Sequence, residues 1–532
     1  MLFAITLAGA VARILYHYDR PFTADEVGTL INTERTANYL LTHYQGWLTQ
    51  NYFILAEKVM MQLFGDNRFS VLLLPFVGGI AAIPLTAFLA RMVASTRVAL
   101  LAAALMAANP FLIAYSGILR GYSLLIALAL SALVFSFRWY SERSVRNGIF
   151  VSLACLGAVL FHPAGVYVVV YIAILAAYHW ISSLRRGVDS GITSLVIPLS
   201  ASILLLLASY ASLYRPFIEY GASWHDAAPT SMDYIPYVLG VYFGTGYAGW
   251  LSSLVFIGAL LAAFKSGSPT LIFAPYLVAP VILMSVQGLS YFPWANARFL
   301  VFLLPICMIF IAEGIQRLGA AIAPRSSNVS IILAALLIAT WGPRMKAALD
   351  STADFPWMTV AEFIKGDASE HDIVLYNEGT EWLNLWPYLA KAPYVQSWLE
   401  NYTEGQQAQS SGKRIFLVRH EPLLASSFPS QTFGKIQVII YPPDSFSNQL
   451  VMIRDDILHN ISPGKIAPEL TLDYRNIWAI NKKLGQDGIR NFQYYQLYMF
   501  CLQLTDRQMN IPRSLLEQEL RGMLAQDVRL SP

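Results

Sequence analysis

The sequence predicts a polytopic α-helical membrane protein with a small α/β domain near its C-terminal end. Of 532 residues, 56% are hydrophobic and only 13% charged. Apolar runs of spanning length follow one another as far as about residue 345, and the composition then changes. An ordinary soluble domain carries about 25% charged residues, so water alone is not the solvent of this chain. The net charge of +3 is small and dispersed, with no Lys/Arg-rich run, which argues against a nucleic-acid partner. Three cysteines, Cys155, Cys307 and Cys501, are an odd number, and the first two fall in apolar runs. Neither a disulfide framework nor a metal cluster is expected of them. The opening MLFAITLAGAVARIL has no basic leader and no small-residue cleavage site, which favours a retained first span.

A span needs roughly 20 apolar residues, and about eleven candidates appear at that length. They lie near 1–17, 70–90, 98–116, 121–138, 147–161, 163–182, 192–213, 237–264, 270–288, 299–316 and 328–343. His162-Pro163 divides the fifth from the sixth, because proline cannot donate the backbone hydrogen bond a continuous helix needs. With the first terminus inside, the short inner loops hold Arg91, Arg97, Arg138, Arg143, Arg146, Arg185, Arg186, Lys265, Arg317 and Arg325, the positive-inside pattern. The outer loops carry Asp19, Asp25, Glu26, Glu34, Glu219, Asp226 and Asp233. An odd number of spans then places everything after about 345 outside as well.

That later part divides in two. DIVLYN at 372–377, RIFLV at 414–418 and IQVIIY at 436–441 read as strands, alternating with helical segments around 357–366 and 381–390. The expected domains are a membrane module over 1–345, an α/β domain over 346–445 and a polar, aromatic tail over 446–532, with a helix expected at 513–526. No solenoid repeat or low-complexity tract interrupts the chain.

Chemistry is expected in the long first outer loop, 17–69. Asp25 and Glu26 are adjacent carboxylates just beyond the first span. Consecutive residues on a helix point about 100° apart, so one faces a site while the other supports it. Thr23-Ala24-Asp25-Glu26 also satisfies a capping box, with Glu26 reaching back to Thr23, and a cap would hold Asp25 in place. Arg120 and Arg298 each precede a helix that returns inward, where the helix dipole disfavours a cation. Either an anion repairs that, or the arginines snorkel to lipid head groups. His162, at an outer turn, is either an interfacial histidine or part of the same site.

The order of these segments resembles the GT-C glycosyltransferases related to protein O-mannosyltransferases and the lipid A aminoarabinose transferase. The resemblance rests on an apolar first span, the pair Asp25-Glu26, and LTQNYFILAEKVMMQLFGDNRFSVLLLPFVGGI with Phe64-Gly65, Arg68 and Pro75. It continues in ANPFLIAYSGILRGYSLL, with Arg120-Gly121-Tyr122-Ser123 as an R-x-Y-S motif, and in ARFLVFLLP with Arg298 and Pro305. It covers roughly 5–320. Thr49-Gln50-Asn51-Tyr52-Phe53 stands where the family has a proline-rich segment preceded by histidine, so Asn51 and Tyr52 mark the acceptor region and the departure touches acceptor geometry.

The resemblance implies a sugar donor linked to a polyprenyl phosphate and a single inverting displacement at the anomeric carbon. Asp25 would take the acceptor's proton, Glu26 would orient the loop, and Arg120 and Arg298 would offset charge on the departing phosphate. Tyr122 and His162 would touch the head group. No GxxxxGK[ST] loop is present, which fits a donor carried on lipid. No cofactor is expected beyond the lipid-linked sugar, and one Asp-Glu pair without a second acidic cluster leaves metal dependence open. Partners would be membrane lipid, the lipid-linked sugar, an acceptor lipid, glycan or protein, and a protein partner of 346–532. The expected location is a cell membrane, the inner one in an envelope with two, with the site outside. Three other readings compete: a transporter or flippase for a lipid-linked saccharide, a non-catalytic scaffold of this fold, and a polymerase or ligase that moves whole glycans.

Overall fold

The chain is a polytopic helical membrane protein. The computed structural model describes residues 1–441 apart from 18–19, 21, 34, 43–49, 66–67, 188–189, 211–233, 244–245, 287–297, 325, 327, 355, 377–383, 386–387, 390–391, 393–394, 399–412 and 421–428. Cys501, Asp19, Glu34, Glu219, Asp226, Asp233, Arg325, the tail from 446 and its expected helix at 513–526 therefore lie outside the described residues, as does most of the expected helix at 381–390. Two compact units are formed, Met1–Leu349 and Asp350–Pro532.

In the first unit, α1 (Leu2–His17) is followed by a loop holding α2 (Ala24–Thr33), α3 (Ala37–Thr42) and α4 (Asn51–Phe64). There follow α5 (Arg68–Val93), α6 (Thr96–Ala108), α7 (Pro110–Tyr115), α8 (Tyr122–Glu142), α9 (Val145–Phe161), α10 (Gly165–Arg185) and α11 (Thr193–Tyr210). The unit continues with α12 (Tyr234–Phe243), α13 (Gly246–Ser266), α14 (Ala274–Val286) and α15 (Leu304–Ile322), and α16 (Asn328–Asp354) leads out of it. Among the described residues six helices are long and apolar enough to cross a membrane: Phe69–Val93, Tyr122–Glu142, Gly165–Arg185, Gly249–Ser266, Val301–Ile322 and Asn328–Lys346. Shorter apolar helices occupy Leu2–His17, Thr96–Ala108, Val145–Phe161, Thr193–Ser209 and Pro269–Ile282.

Two candidate spans are divided. The stretch 98–116 breaks at Asn109, because Pro110 cannot continue α6, and the Asn109 side chain accepts from Leu112 N–H to start α7. The stretch 237–264 is two helices, α12 and α13. The break after α6 leaves carbonyls without helical partners, and Arg13 supplies donors to them. It lies in α1 at 1% exposure and donates to Met106 O and Ala107 O at 3.1 Å and to Ser116 Oγ at 2.8 Å. α15 is the most enclosed of the six long apolar helices: Leu304, Ile306, Met308, Ile309, Phe310, Ile311 and Ala312 are all fully buried, and it packs against α6 and α13. Its Glu313 takes hydrogen bonds from Ser268, Thr270 and Arg317.

The second unit holds a five-stranded sheet in the order β2-β1-β3-β5-β4, from β1 (Ile373–Tyr376), β2 (Val395–Trp398), β3 (Ile415–His420), β4 (Ser430–Phe433) and β5 (Ile436–Tyr441). β1 pairs in parallel with β2 and β3, whereas β5 pairs antiparallel with β3 and β4. Alternate residues Val374, Tyr376, Phe416, Val418, Ile436 and Val438 form one buried face. Onto it α17 (Trp357–Asp367) lays Trp357, Val360, Ala361 and Ile364.

α4 carries an unusual acid. Glu57 is fully buried, neither carboxylate oxygen has a hydrogen-bond partner among the described residues, and burial pushes its pKa up to about 9. The folded value lies above the unfolded one of about 4.3, so the group favours folding below that pH and its contribution is lost as pH climbs to about 9. Glu57→Gln is therefore expected to unfold at a higher temperature than the unsubstituted protein at pH 9, with a smaller gap at pH 5. Thermal unfolding in lipid at the two pH values measures this, and a gap independent of pH would refute it.

Candidate functional site

Antiparallel neighbours bring the end of α1, the start of α2, the segment 117–121, the starts of α8 and α10 and the end of α9 to one end of the bundle. At its base, His17 Nε2 lies 2.9 Å from Ile113 O, which can only accept, so the proton sits on Nε2. Nδ1 is then free to accept from Arg20 Nε at 3.1 Å. Gly117 is required here: a Cβ on it would lie 2.3 Å from the His17 ring. Arg20 continues the chain of contacts to Glu26 Oε1 at 2.6 Å.

Glu26 is fully buried and both its oxygens are committed. Oε1 takes Arg20 and the Leu119 N–H at 2.9 Å, while Oε2 takes the Thr23 N–H and the Thr23 hydroxyl, both at 2.8 Å. The expected reach back to Thr23 is present, although the hydroxyl donates to the carboxylate. Burial acts to raise the Glu26 pKa, but the charge and hydrogen bond of Arg20, with the Thr23 and Leu119 amides, hold it below the usual carboxylate value. Such a carboxylate is a poor proton carrier and a good anchor. Asp25 lies on the backbone of α2, and its side chain lies outside the described residues.

The segment after Leu119 carries Arg120, which is 4% exposed, and then starts α8 at Tyr122. The Tyr122 ring packs 4.8 Å from the His162 ring, and His162 lies 5.7 Å from Phe299. The Arg298 guanidinium sits 5.8 Å from the centre of that same Phe299 ring. Arg120, Tyr122, His162 and Arg298 are therefore brought together. His162 ends α9, and its Nδ1 accepts the Ala164 N–H at 3.1 Å, which leaves the proton on Nε2. Nε2 is buried and has no hydrogen-bond partner among the described residues. Burial first, then the charges of Arg120 and Arg298, push its pKa down to about 3, so the ring is a neutral donor.

Asn51 and Tyr52 are placed differently. Asn51 Nδ2 donates to Leu40 O at 2.5 Å and the Tyr52 hydroxyl donates to Ser209 O at 2.8 Å, contacts that tie α4 to α3 and α11. Sequence reasoning did not single out His17, Arg20, Gln50 or Arg344 as site residues. Gln50 accepts the Gly121 N–H at 2.7 Å, and Arg344 and Arg20 both act electrostatically on Tyr16 at the end of α1. Only Arg20 had a signal, as a cation six residues before a predicted capping carboxylate. Among the described residues no three of His, Cys, Asp and Glu are grouped as metal ligands.

No protein-family model matches the chain, and no curated protein matches it in sequence. Solved structures do match. ArnT from Cupriavidus metallidurans bound to undecaprenyl phosphate aligns over 82% of this chain and 97% of its own, with a TM-score of 0.52 at 13% identity. The chain has the GT-C fold. The apo form of the same ArnT aligns over equal shares with a TM-score of 0.51 at 12% identity. The Archaeoglobus fulgidus oligosaccharyltransferase with zinc and sulfate aligns over 74% of this chain and 62% of its own, with a TM-score of 0.46 at 14% identity.

The neutral state of His162 has a pH consequence. Its folded pKa lies below the unfolded value of about 6.5, so folding is favoured above that pH and loses stability as pH falls towards about 3. The fall in melting temperature from pH 7.5 to pH 5 is expected to be smaller in His162→Gln than in the unsubstituted protein. Equal falls would show that the imidazole is not held neutral.

Proposed function

We propose that the protein transfers a sugar from a polyprenyl-phosphate donor to an acceptor at the outer face of the membrane. The observation that carries this reading is the buried His162 Nε2–H, without an acceptor among the described residues, in the field of Arg120 and Arg298. Two guanidinium groups whose charges act on a buried N–H suit a phosphate. Their position at span ends suits a phosphate that arrives on a membrane-held lipid. The GT-C neighbour ArnT, described as bound to undecaprenyl phosphate, supports the same ligand class.

In this reading Asp25 accepts the acceptor's hydroxyl proton as the oxygen attacks the anomeric carbon and the carbon–oxygen bond to the lipid phosphate breaks. Arg120 and Arg298 stabilise the negative charge that remains on that phosphate, and the His162 Nε2–H donates to one of its oxygens. Tyr122 shapes the wall between Arg120 and His162. Glu26 acts by holding the loop, since its oxygens are already occupied. The unit after Asp350 selects or positions the acceptor.

A transporter for the same lipid fits less well. Ion-coupled transporters use ionisable groups within the spans. Here Arg13 is committed to carbonyls of α6 and to Ser116, and Glu313 to Ser268, Thr270 and Arg317. Both are fixed structural groups.

Purified protein in lipid, supplied with polyprenyl-phosphate sugars and candidate acceptors, is expected to turn over. Asp25→Asn is expected to lower kcat by about 10²–10⁴-fold with donor binding retained. Undiminished turnover would remove Asp25 as the base, and lipid translocation without transfer would replace the enzyme reading with the transporter.

A further inference from the structure

Arg120 sits between two amides, and both are held from the first outer loop. The Leu119 N–H donates to Glu26 Oε1 at 2.9 Å, and the Gly121 N–H donates to Gln50 Oε1 at 2.7 Å. The Arg120 N–H itself donates to Ile118 O at 2.6 Å. Gln50 is 2% exposed and occupies the position before α4 where a short polar side chain ordinarily caps its own helix. Its side chain does no capping. Its length carries the carboxamide oxygen to the start of α8 instead.

The helix that presents Gln50 is fixed independently. Lys58 Nζ donates to Thr33 O at 2.7 Å and to Arg35 O at 3.0 Å, and Asn51 and Tyr52 make the backbone contacts described above. On the other side of the turn, a Cβ on Gly121 would lie 2.2 Å from Phe161 O, the carbonyl just before His162. Glu26 and Gln50 thus hold the two amides that flank Arg120, and the turn rests on α9 at Phe161 O.

We propose that Gln50 is a positioning residue for the phosphate site: its hydrogen bond to the Gly121 amide holds the Arg120 turn against the end of α9 and so fixes the guanidinium beside His162. This rests on the reading of Arg120 as a lipid-phosphate ligand. Without the acceptor, a buried amide is left unsatisfied and other conformations of the turn become populated. Gln50 acts only through Arg120, so its effect disappears when the guanidinium is gone.

The test measures undecaprenyl phosphate binding to the full-length protein in nanodiscs, for the unsubstituted chain, Gln50→Met, Gln50→Asn, Gln50→Glu, Arg120→Ala and the Gln50→Met/Arg120→Ala pair. Gln50→Met, of similar size but without an acceptor, is expected to weaken binding about tenfold. Gln50→Asn, too short to reach, should lose binding likewise and serves if the methionine variant does not fold. Gln50→Glu keeps an acceptor and should recover most of the loss. The double variant should bind no worse than Arg120→Ala alone, because coupled residues are not additive. Unchanged binding in both Gln50→Met and Gln50→Asn, or losses that multiply in the double variant, would overturn the proposal while leaving Arg120 as a ligand. Unchanged binding in Arg120→Ala would instead overturn the phosphate reading on which it rests.

Discussion

The arrangement of this end of the molecule depends on the buried carboxylate of Glu26. Removing a charge from water costs several kcal/mol, and a buried ion pair recovers this only if the remaining lone pairs are satisfied. Here Arg20 approaches at 2.6 Å and three further donors, two from Thr23 and one from Leu119, complete the coordination. The contacts join the stretch between α1 and α2 to the turn before α8, 93 residues further along the chain. A carboxylate so fully hydrogen-bonded is held in its charged form. Its work is to make the loop after α1 and the Arg120 turn behave as one body.

From that anchor the geometry extends both ways. Towards the membrane, Arg20 is oriented by the His17 imidazole, whose tautomer is set by Ile113 O. Arg13, one turn earlier in α1, repairs the broken end of α6. Towards the site, the Arg120 turn rests against the end of α9, and Tyr122, His162 and Phe299 form a continuous row of rings to Arg298. Preorganisation of this kind places donors before a ligand arrives, so that little reorganisation is needed when charge develops.

The sequence made some of this legible and hid the rest for physical reasons. Hydropathy located the apolar helices, six of them of spanning length among the described residues, yet it passed over Asn109, since one capping residue barely alters a window average. The Glu26–Thr23 contact was readable as local chemistry at fixed spacing. Arg120 and Arg298 stood out because a cation at a helix start needs a reason. Gln50 gave no signal, since its partner is 71 residues away and glutamine has no preferred role. The contacts of Asn51 and Tyr52 were equally invisible, because they are made to backbone carbonyls. In the second unit the apolar strands β1, β3 and β5 were legible, while β2 and β4, reading VQSW and SQTF, are too polar and short to declare themselves. Strand order follows from crossovers that no local pattern encodes.

The neutral imidazole shows how local and distant constraints combine. A histidine at a turn between two helices would ordinarily titrate near pH 6.5, and a charged ring beside two guanidiniums would repel them. Burial and those same cations exclude the charged form, while the Ala164 amide occupies Nδ1 and leaves Nε2 as the donor. The backbone turn at His162-Pro163-Ala164 therefore decides the tautomer of the neutral ring as well as the chain direction. In the proposed reading a phosphate meets a donor whose proton is already in place, and the arginines do not compete with an imidazolium for it.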